Sequence, residues 1–130
     1  MERPLTGRKI LVIEDEPLIA LDIRNAFEGA GATTVVTRTV AAALAAVEDN
    51  LVSAAIVDHV LGDGKSSEIC EKLKKRKVPF VTYSGFAHLD GACAEAVHVS
   101  KPANPSVLVA TITGLLTAGE HRRNDSHEQT

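Results

Sequence analysis

"KILVIEDEP", residues 9–17, decides the fold. After Lys9 the run is continuously apolar to Ile13, the pattern of a strand buried on both faces rather than one with a wet side. Glu14, Asp15 and Glu16 then arrive together, with Pro17 behind them. Like charges that close repel one another, so three carboxylates at the end of the most hydrophobic strand need a cation or another reason to be there.

Working outward, Pro17 suits the first turn of a helix, and Leu18, Leu21 and Phe27 supply its apolar face before Gly29 and Gly31 stop it. "TTVVTR" (33–38) is rich in β-branched residues, as a strand is. Val40, Ala43, Leu44 and Val47 fall at the i, i+3, i+4, i+7 spacing of one helix face. "SAAIVD" (53–58) is a third apolar strand, ending in Asp58. "HVLGDGK" is turn chemistry, Ser66 or Ser67 can cap a helix through about Arg76, and "VPFVTYS" (78–84) returns to strand. Gly91 interrupts the next helical stretch, Phe86 to Glu95, which is therefore expected to be short or irregular. "AVHVS" (96–100) is a fifth strand, and Asn104–Pro105 opens a helix whose Leu108, Ile112, Leu115 and Leu116 can face a core.

Strand and helix alternate five times, so the fold class is α/β: a five-stranded parallel sheet with helices on both faces, doubly wound and flavodoxin-like. Residues 1–118 form the domain, and residues 119–130 are a polar tail expected to be disordered.

The chain of 130 residues suits one domain. No apolar run approaches the roughly 20 residues of a membrane-spanning helix, and "MERPLTGRK" has no secretory signal, so the expected location is cytoplasmic. A net charge of -3 argues against nucleic acid or anionic membrane as a partner. The basic run "KLKKRK" (72–77) falls where a helix ends and complements its dipole. Cys70 and Cys93 lack the spacing of a zinc site and make no disulfide framework; they are read as buried or reduced thiols.

In an open parallel sheet, ligands bind outside the carboxyl ends of the strands. Glu14 and Asp15 follow the first strand, Asp58 ends the third, Ser84 the fourth, and Ser100–Lys101 the fifth. Three carboxylates converging there make a hard oxygen pocket suited to magnesium. A lysine and a hydroxyl beside it supply positive charge and a donor for a phosphoryl group. Glu14 and Asp15 have a plainer reading as acids near a helix N-terminus, and Asp58 as a turn residue. The register of all five side chains weighs against both.

The ordered set "VIEDEP", "AAIVD", "VTYSG" and "VSKP" resembles the receiver domains of two-component response regulators, over about residues 8–117. The resemblance implies that Asp58 is the phosphoacceptor, Asp15 a direct Mg2+ ligand, Glu14 a ligand through water, and Val60 a ligand through its backbone carbonyl. It makes Ser84 the switch hydroxyl and Lys101 the partner of the phosphoryl group. It implies a sensor histidine kinase as donor and a downstream protein or phosphotransfer partner as target, with no enzyme activity beyond self-phosphorylation and self-dephosphorylation. A monomer or weak homodimer without a DNA-binding output domain is expected. Gly62 stands where receivers commonly carry proline, and with "VPFVTYSGF" this resembles bacterial stand-alone receivers with a shortened third loop and a weak fourth helix. His98 occupies the place of the aromatic switch residue, and Val60 and Phe86 border the path of the hydrolytic water, which implies slow self-dephosphorylation. A metal-dependent phosphatase of another α/β family is disfavoured, because its second acid two residues past the nucleophile is here Val60. A pseudo-receiver would lack one of the five site residues, and none is lacking.

Overall fold

The computed structural model describes residues 3–58, 60–61, 64–85 and 91–128, with 60–61, 64–65 and 121–128 described by backbone alone. The elements in order are β1 (Lys9–Ile13), α1 (Pro17–Gly29), β2 (Thr33–Thr37), α2 (Val40–Val47), β3 (Ala54–Asp58), β4 (Val60–Leu61), β5 (Gly64–Lys65), α3 (Ser67–Lys75) and β6 (Phe80–Ser84). A 3-10 turn (Gly91–Cys93), β7 (Val97–Ser100) and α4 (Pro105–Glu128) complete the fold. The main sheet has the order β2-β1-β3-β6-β7 and is parallel throughout. Because β1 lies between β2 and β3, the order reverses there and opens a crevice at the carboxyl ends of β1 and β3.

The apolar run of β1 is split between two cores by the two-residue period of a strand. Ile10 and Val12 pack with Ala54, Ile56, Val81 and Tyr83 under Ile23 and Phe27 of α1 and Leu108 and Ile112 of α4. Leu11 and Ile13 pack on the opposite face with Ala55 and Val57, under Ala43 and Val47 of α2 and Ile69 and Leu73 of α3. The α/β sandwich expected from the sequence is therefore the architecture observed.

Four details differ from the sequence reading. The buried face of α1 consists of Ala20, Ile23 and Phe27, whereas Leu18 and Leu21 are 71% and 48% exposed. The spacing i, i+3, i+7 from Ala20 points at the sheet, and Leu18 and Leu21 fall outside that stripe. Cys70 and Cys93 are joined as a disulfide, with Cα atoms 5.3 Å apart, rather than standing as reduced thiols. Nothing in their spacing of 23 residues announces that proximity; the packing of α3 on the 3-10 turn creates it. Part of the segment read as a turn pairs as a small antiparallel ribbon, Val60 with Lys65 and Leu61 with Gly64. Finally, α4 runs to Glu128, so helix replaces most of the expected disordered tail. Gly119 weakens a helix but does not break it as proline would, and Glu120 pairs with Arg8 near β1.

Gly31 is needed where α1 gives way to β2. Its φ is +100°, and a Cβ there would come within 2.7 Å of Thr6 Oγ1. The stretch from Phe86 reaches the 3-10 turn at Gly91–Cys93. Phe86 itself, and also His59, Gly62, Asp63 and His88, lie outside the described residues.

Candidate functional site

The first strand delivers Glu14 to the crevice with little freedom. Its N–H donates to the Thr37 carbonyl at 3.0 Å, extending the β1–β2 ladder by one residue. The side chain turns back into the protein, where it is 1% exposed and accepts a bond from the Glu16 N–H at 3.3 Å. Asp58, the last residue of β3, is 5% exposed, and Ser84, the last of β6, is 1% exposed. Oxygens of Glu14, Asp15 and Asp58 all lie within 4.8 Å of one another.

Lys101 closes the cluster from β7. Its N–H donates to the Ser84 carbonyl at 2.9 Å, which anchors the backbone, and its ammonium reaches Glu14 Oε1 at 2.8 Å and Asp58 Oδ1 at 3.4 Å. The stem passes the Tyr83 ring, with Nζ 5.2 Å from the ring centroid. Tyr83 Oη in turn donates to the Ala103 carbonyl and accepts from the Ala103 N–H, both at 3.2 Å, fixing the segment just past Lys101. Tyr83 was not singled out in the sequence; the available signal was a large aromatic beside Ser84 in a strand that faces both cores.

Electrostatics follow from this packing. Burial alone pushes the Glu14 carboxyl up, but its contact with Asp58, the hydrogen bond and charge of Lys101 and the Glu16 N–H together hold it below its ordinary value. For Lys101, burial pulls the ammonium down, and the hydrogen bond to Glu14 with the charges of Asp58 and Glu14 lifts it above its ordinary value instead. Two buried carboxylates sharing one ammonium still have acceptor capacity to spare. The donors are all hard oxygens, two of them deeply buried and one partly open, so the set fits a small hard cation such as magnesium.

The cleft over these residues measures about 330 Å³ and is lined by the acids, Ser84, Gly85 and Lys101. A larger one of about 590 Å³ lies at the opposite end of the sheet, beside Val78, Pro79 and Val97. Its charged side chains are Lys74, Lys77 and a single acid, Glu95, so it lacks the acid cluster that the chemistry needs.

The structure thus brings together Glu14, Asp15, Asp58, Ser84 and Lys101. Val60 opens β4, two residues past Asp58, with its backbone paired to Lys65. His98 stands one strand over: its Nδ1 lies 3.0 Å from Thr82 Oγ1, and its cross-strand partner is Thr82 rather than Ser84.

No family model matches the chain. Among curated proteins it is 34% identical over 128 residues to the phyllosphere-induced regulator PhyR of Methylorubrum extorquens, with 92% of this chain and 48% of that protein covered. The chain spans about half to two thirds of the length of the curated relatives it matches. A CheY-like response regulator receiver domain from Methanospirillum hungatei JF-1 superposes with a TM-score of 0.80 at 25% identity, covering 90% of this chain and 99% of that one. The receiver domain of the sensor histidine kinase PA1611 from Pseudomonas aeruginosa PAO1, with magnesium coordinated in its active-site cleft, superposes with a TM-score of 0.75 at 20% identity, covering 86% and 99%. A five-stranded parallel sheet in this order, with an acid cluster and a lysine at its carboxyl edge, defines the class: an α/β receiver. Over nearly its whole length the chain is similar to the response-regulator receiver domains. Among the described residues no helix is long and apolar enough to cross a membrane.

Proposed function

We propose that the chain accepts a phosphoryl group on Asp58 from a phosphohistidine of a sensor kinase, with magnesium, and signals in the cytoplasm by docking on a partner or passing the phosphoryl group on. The observation that carries this reading is the Lys101 ammonium between the buried Glu14 and Asp58 carboxylates, with Asp15 beside them. An Asp58 oxygen attacks phosphorus, the P–N bond to the donor imidazole breaks, and an acyl phosphate forms as the departing nitrogen is protonated. Glu14, Asp15, Asp58 and the Val60 carbonyl are the groups that would hold magnesium, which when bound supplies positive charge against the transferring phosphoryl oxygens. Lys101 pairs with one of those oxygens and Ser84 donates to another. The receivers named above support this assignment, and the magnesium of the PA1611 domain supports the choice of metal.

Incubation with acetyl phosphate and magnesium, followed by intact mass spectrometry, tests it. The expected result is one base-labile phosphoryl group in wild type and none in Asp58→Asn. Equal labelling of both proteins would overturn the assignment.

A further inference from the structure

The Cys70–Cys93 bridge joins the two segments that leave the acid site. The segment from Asp58 reaches Ser66 and α3, which carries Cys70 in its first turn and a half; the segment from Ser84 reaches the 3-10 turn, which ends in Cys93. The covalent ring closed by the bridge therefore contains β6 and Ser84. Ser66, fully buried at the start of α3, places its hydroxyl 3.9 Å from Cys93 Sγ.

We infer that Cys70 and Cys93 form a reversible thiol–disulfide pair that sets how tightly the Ser84 side of the site is tethered to the Asp58 side. Two observations argue that the bond can break and re-form without loss of the fold. Both sulfurs sit among Ile69, Leu73 and Ala92 in a core that a thiol fills as well as a disulfide does. The 3-10 turn is closed by bonds that lengthen along it, from Ala94, Glu95 and Ala96 back to Gly91, Ala92 and Cys93 at 3.1, 3.3 and 3.4 Å, and it rests on α3 through Ala92 and Cys93. So short a turn, with Gly91 exposed at φ +60°, opens locally at small cost and brings Cys93 to solvent while Cys70 stays in its helix.

Cys93 is accordingly the sulfur an external thiolate attacks. The internal S–S bond breaks, Cys70 leaves as a thiolate, and a mixed disulfide forms at Cys93. A second external thiol resolves it, leaving two protein thiols and one small-molecule disulfide, with two electrons transferred. Oxidised glutathione or a similar disulfide runs the sequence backwards. In the oxidised chain the turn moves with α3; in the reduced chain it moves alone. This builds on the phosphoacceptor reading only where labelling rates are concerned.

The test uses the full chain, reduced with dithiothreitol or oxidised with oxidised glutathione, with iodoacetamide labelling to count two thiols or none. Hydrogen exchange is then followed by mass spectrometry. The expected result is at least tenfold faster exchange over residues 91–97 in the reduced chain, restored on reoxidation, and a change of at least threefold in the rate of Asp58 labelling. Cys70→Ala/Cys93→Ala should match the reduced chain under both treatments, and Cys93→Ser alone provides a second variant should the double one fold poorly. Identical exchange in the two verified redox states, or a native bridge that dithiothreitol leaves intact, would overturn the inference. Failure of Asp58 to label in either state would instead overturn the phosphoacceptor reading, since the exchange contrast does not depend on phosphorylation.

Discussion

Lys101 Nζ lies 2.8 Å from Glu14 Oε1 and 3.4 Å from Asp58 Oδ1, so one partly exposed cation serves two buried anions. Removing it takes the shared ammonium from two carboxylates held mostly out of water, the costly half of a broken buried pair. Lys101→Ala should lose about 2–4 kcal/mol at neutral pH, less than a fully buried pair would, because the lysine side chain is 22% exposed. Urea unfolding measures this, and added magnesium should return part of the loss in the variant. A variant as stable as wild type without metal would mean that water already screens the two acids.

The same contacts fix the pH profile. Glu14 is held below its ordinary value of 4.5, so its contribution to stability is fully present above that pH and is lost as pH falls through the lower folded value. Lys101 is raised above 10.5, so its contribution is fully present below that pH and is lost as pH rises through the higher folded value. Stability measured in urea should therefore be level, as far as this pair contributes, from about pH 5 to pH 10. Glu14→Gln should flatten the acid limb; an unchanged limb would assign it to other carboxylates, such as Asp49 with Lys9.

Leu18 and Leu21 separate exposure from hydrophobicity. Because both project from α1 into solvent, Leu18→Ser and Leu21→Ser should each change unfolding free energy by no more than about 0.5 kcal/mol, whereas Phe27→Ala should cost about 3–5 kcal/mol. Leu18 is exposed next to Ile19, which lines the cleft over Asp58, so a macromolecular donor docking over that cleft would meet it where a small donor would not. Leu18→Ser should slow phosphotransfer from a kinase at least severalfold and leave labelling by acetyl phosphate unchanged. Equal slowing with both donors would place the effect in the site itself.

Leu18 also marks where the sequence stopped being informative. The sheet was legible because Ile10 to Ile13 has no polar alternation, Ala54 to Val57 repeats that run, and the β-branched stretch at 33–37 and the mostly apolar one at 80–83 fall between helical periods. The acid site was legible because Glu14, Asp58, Ser84 and Lys101 each sit at a strand's carboxyl end, and a parallel sheet gathers such ends along one edge. Which of the apolar residues of α1 faces inward depends on the rotation of the helix against the sheet. Ala20 is buried while Leu18 and Leu21 are not, and that is tertiary information. The Cys70–Cys93 contact and the support Tyr83 gives to Ala103 have the same origin.

His98 couples β7 to β6 through a side-chain contact with Thr82. Its ring lies along β7 with Nδ1 3.0 Å from Thr82 Oγ1, while Nε2 is buried and has no hydrogen-bond partner among the described residues. Thr82 is fully buried, and its hydroxyl also reaches the Val97 carbonyl at a long 3.5 Å. The ring is therefore held by one bond at one nitrogen. Thr82→Val keeps the shape of the strand and removes that bond, leaving both ring nitrogens without a partner, and the ring gains by turning outward to water. Ser84 lies two residues beyond Thr82 on the same strand, so displacement of Ser84 by a phosphoryl mimic should be felt at the ring as well. Nitrogen and proton spectra of the imidazole should move on addition of beryllofluoride with magnesium in wild type. In Thr82→Val they should already resemble a solvated ring and respond little. Ring resonances unmoved by beryllofluoride in wild type would detach His98 from the site and leave the backbone bond between Lys101 and Ser84 as the link between β7 and β6.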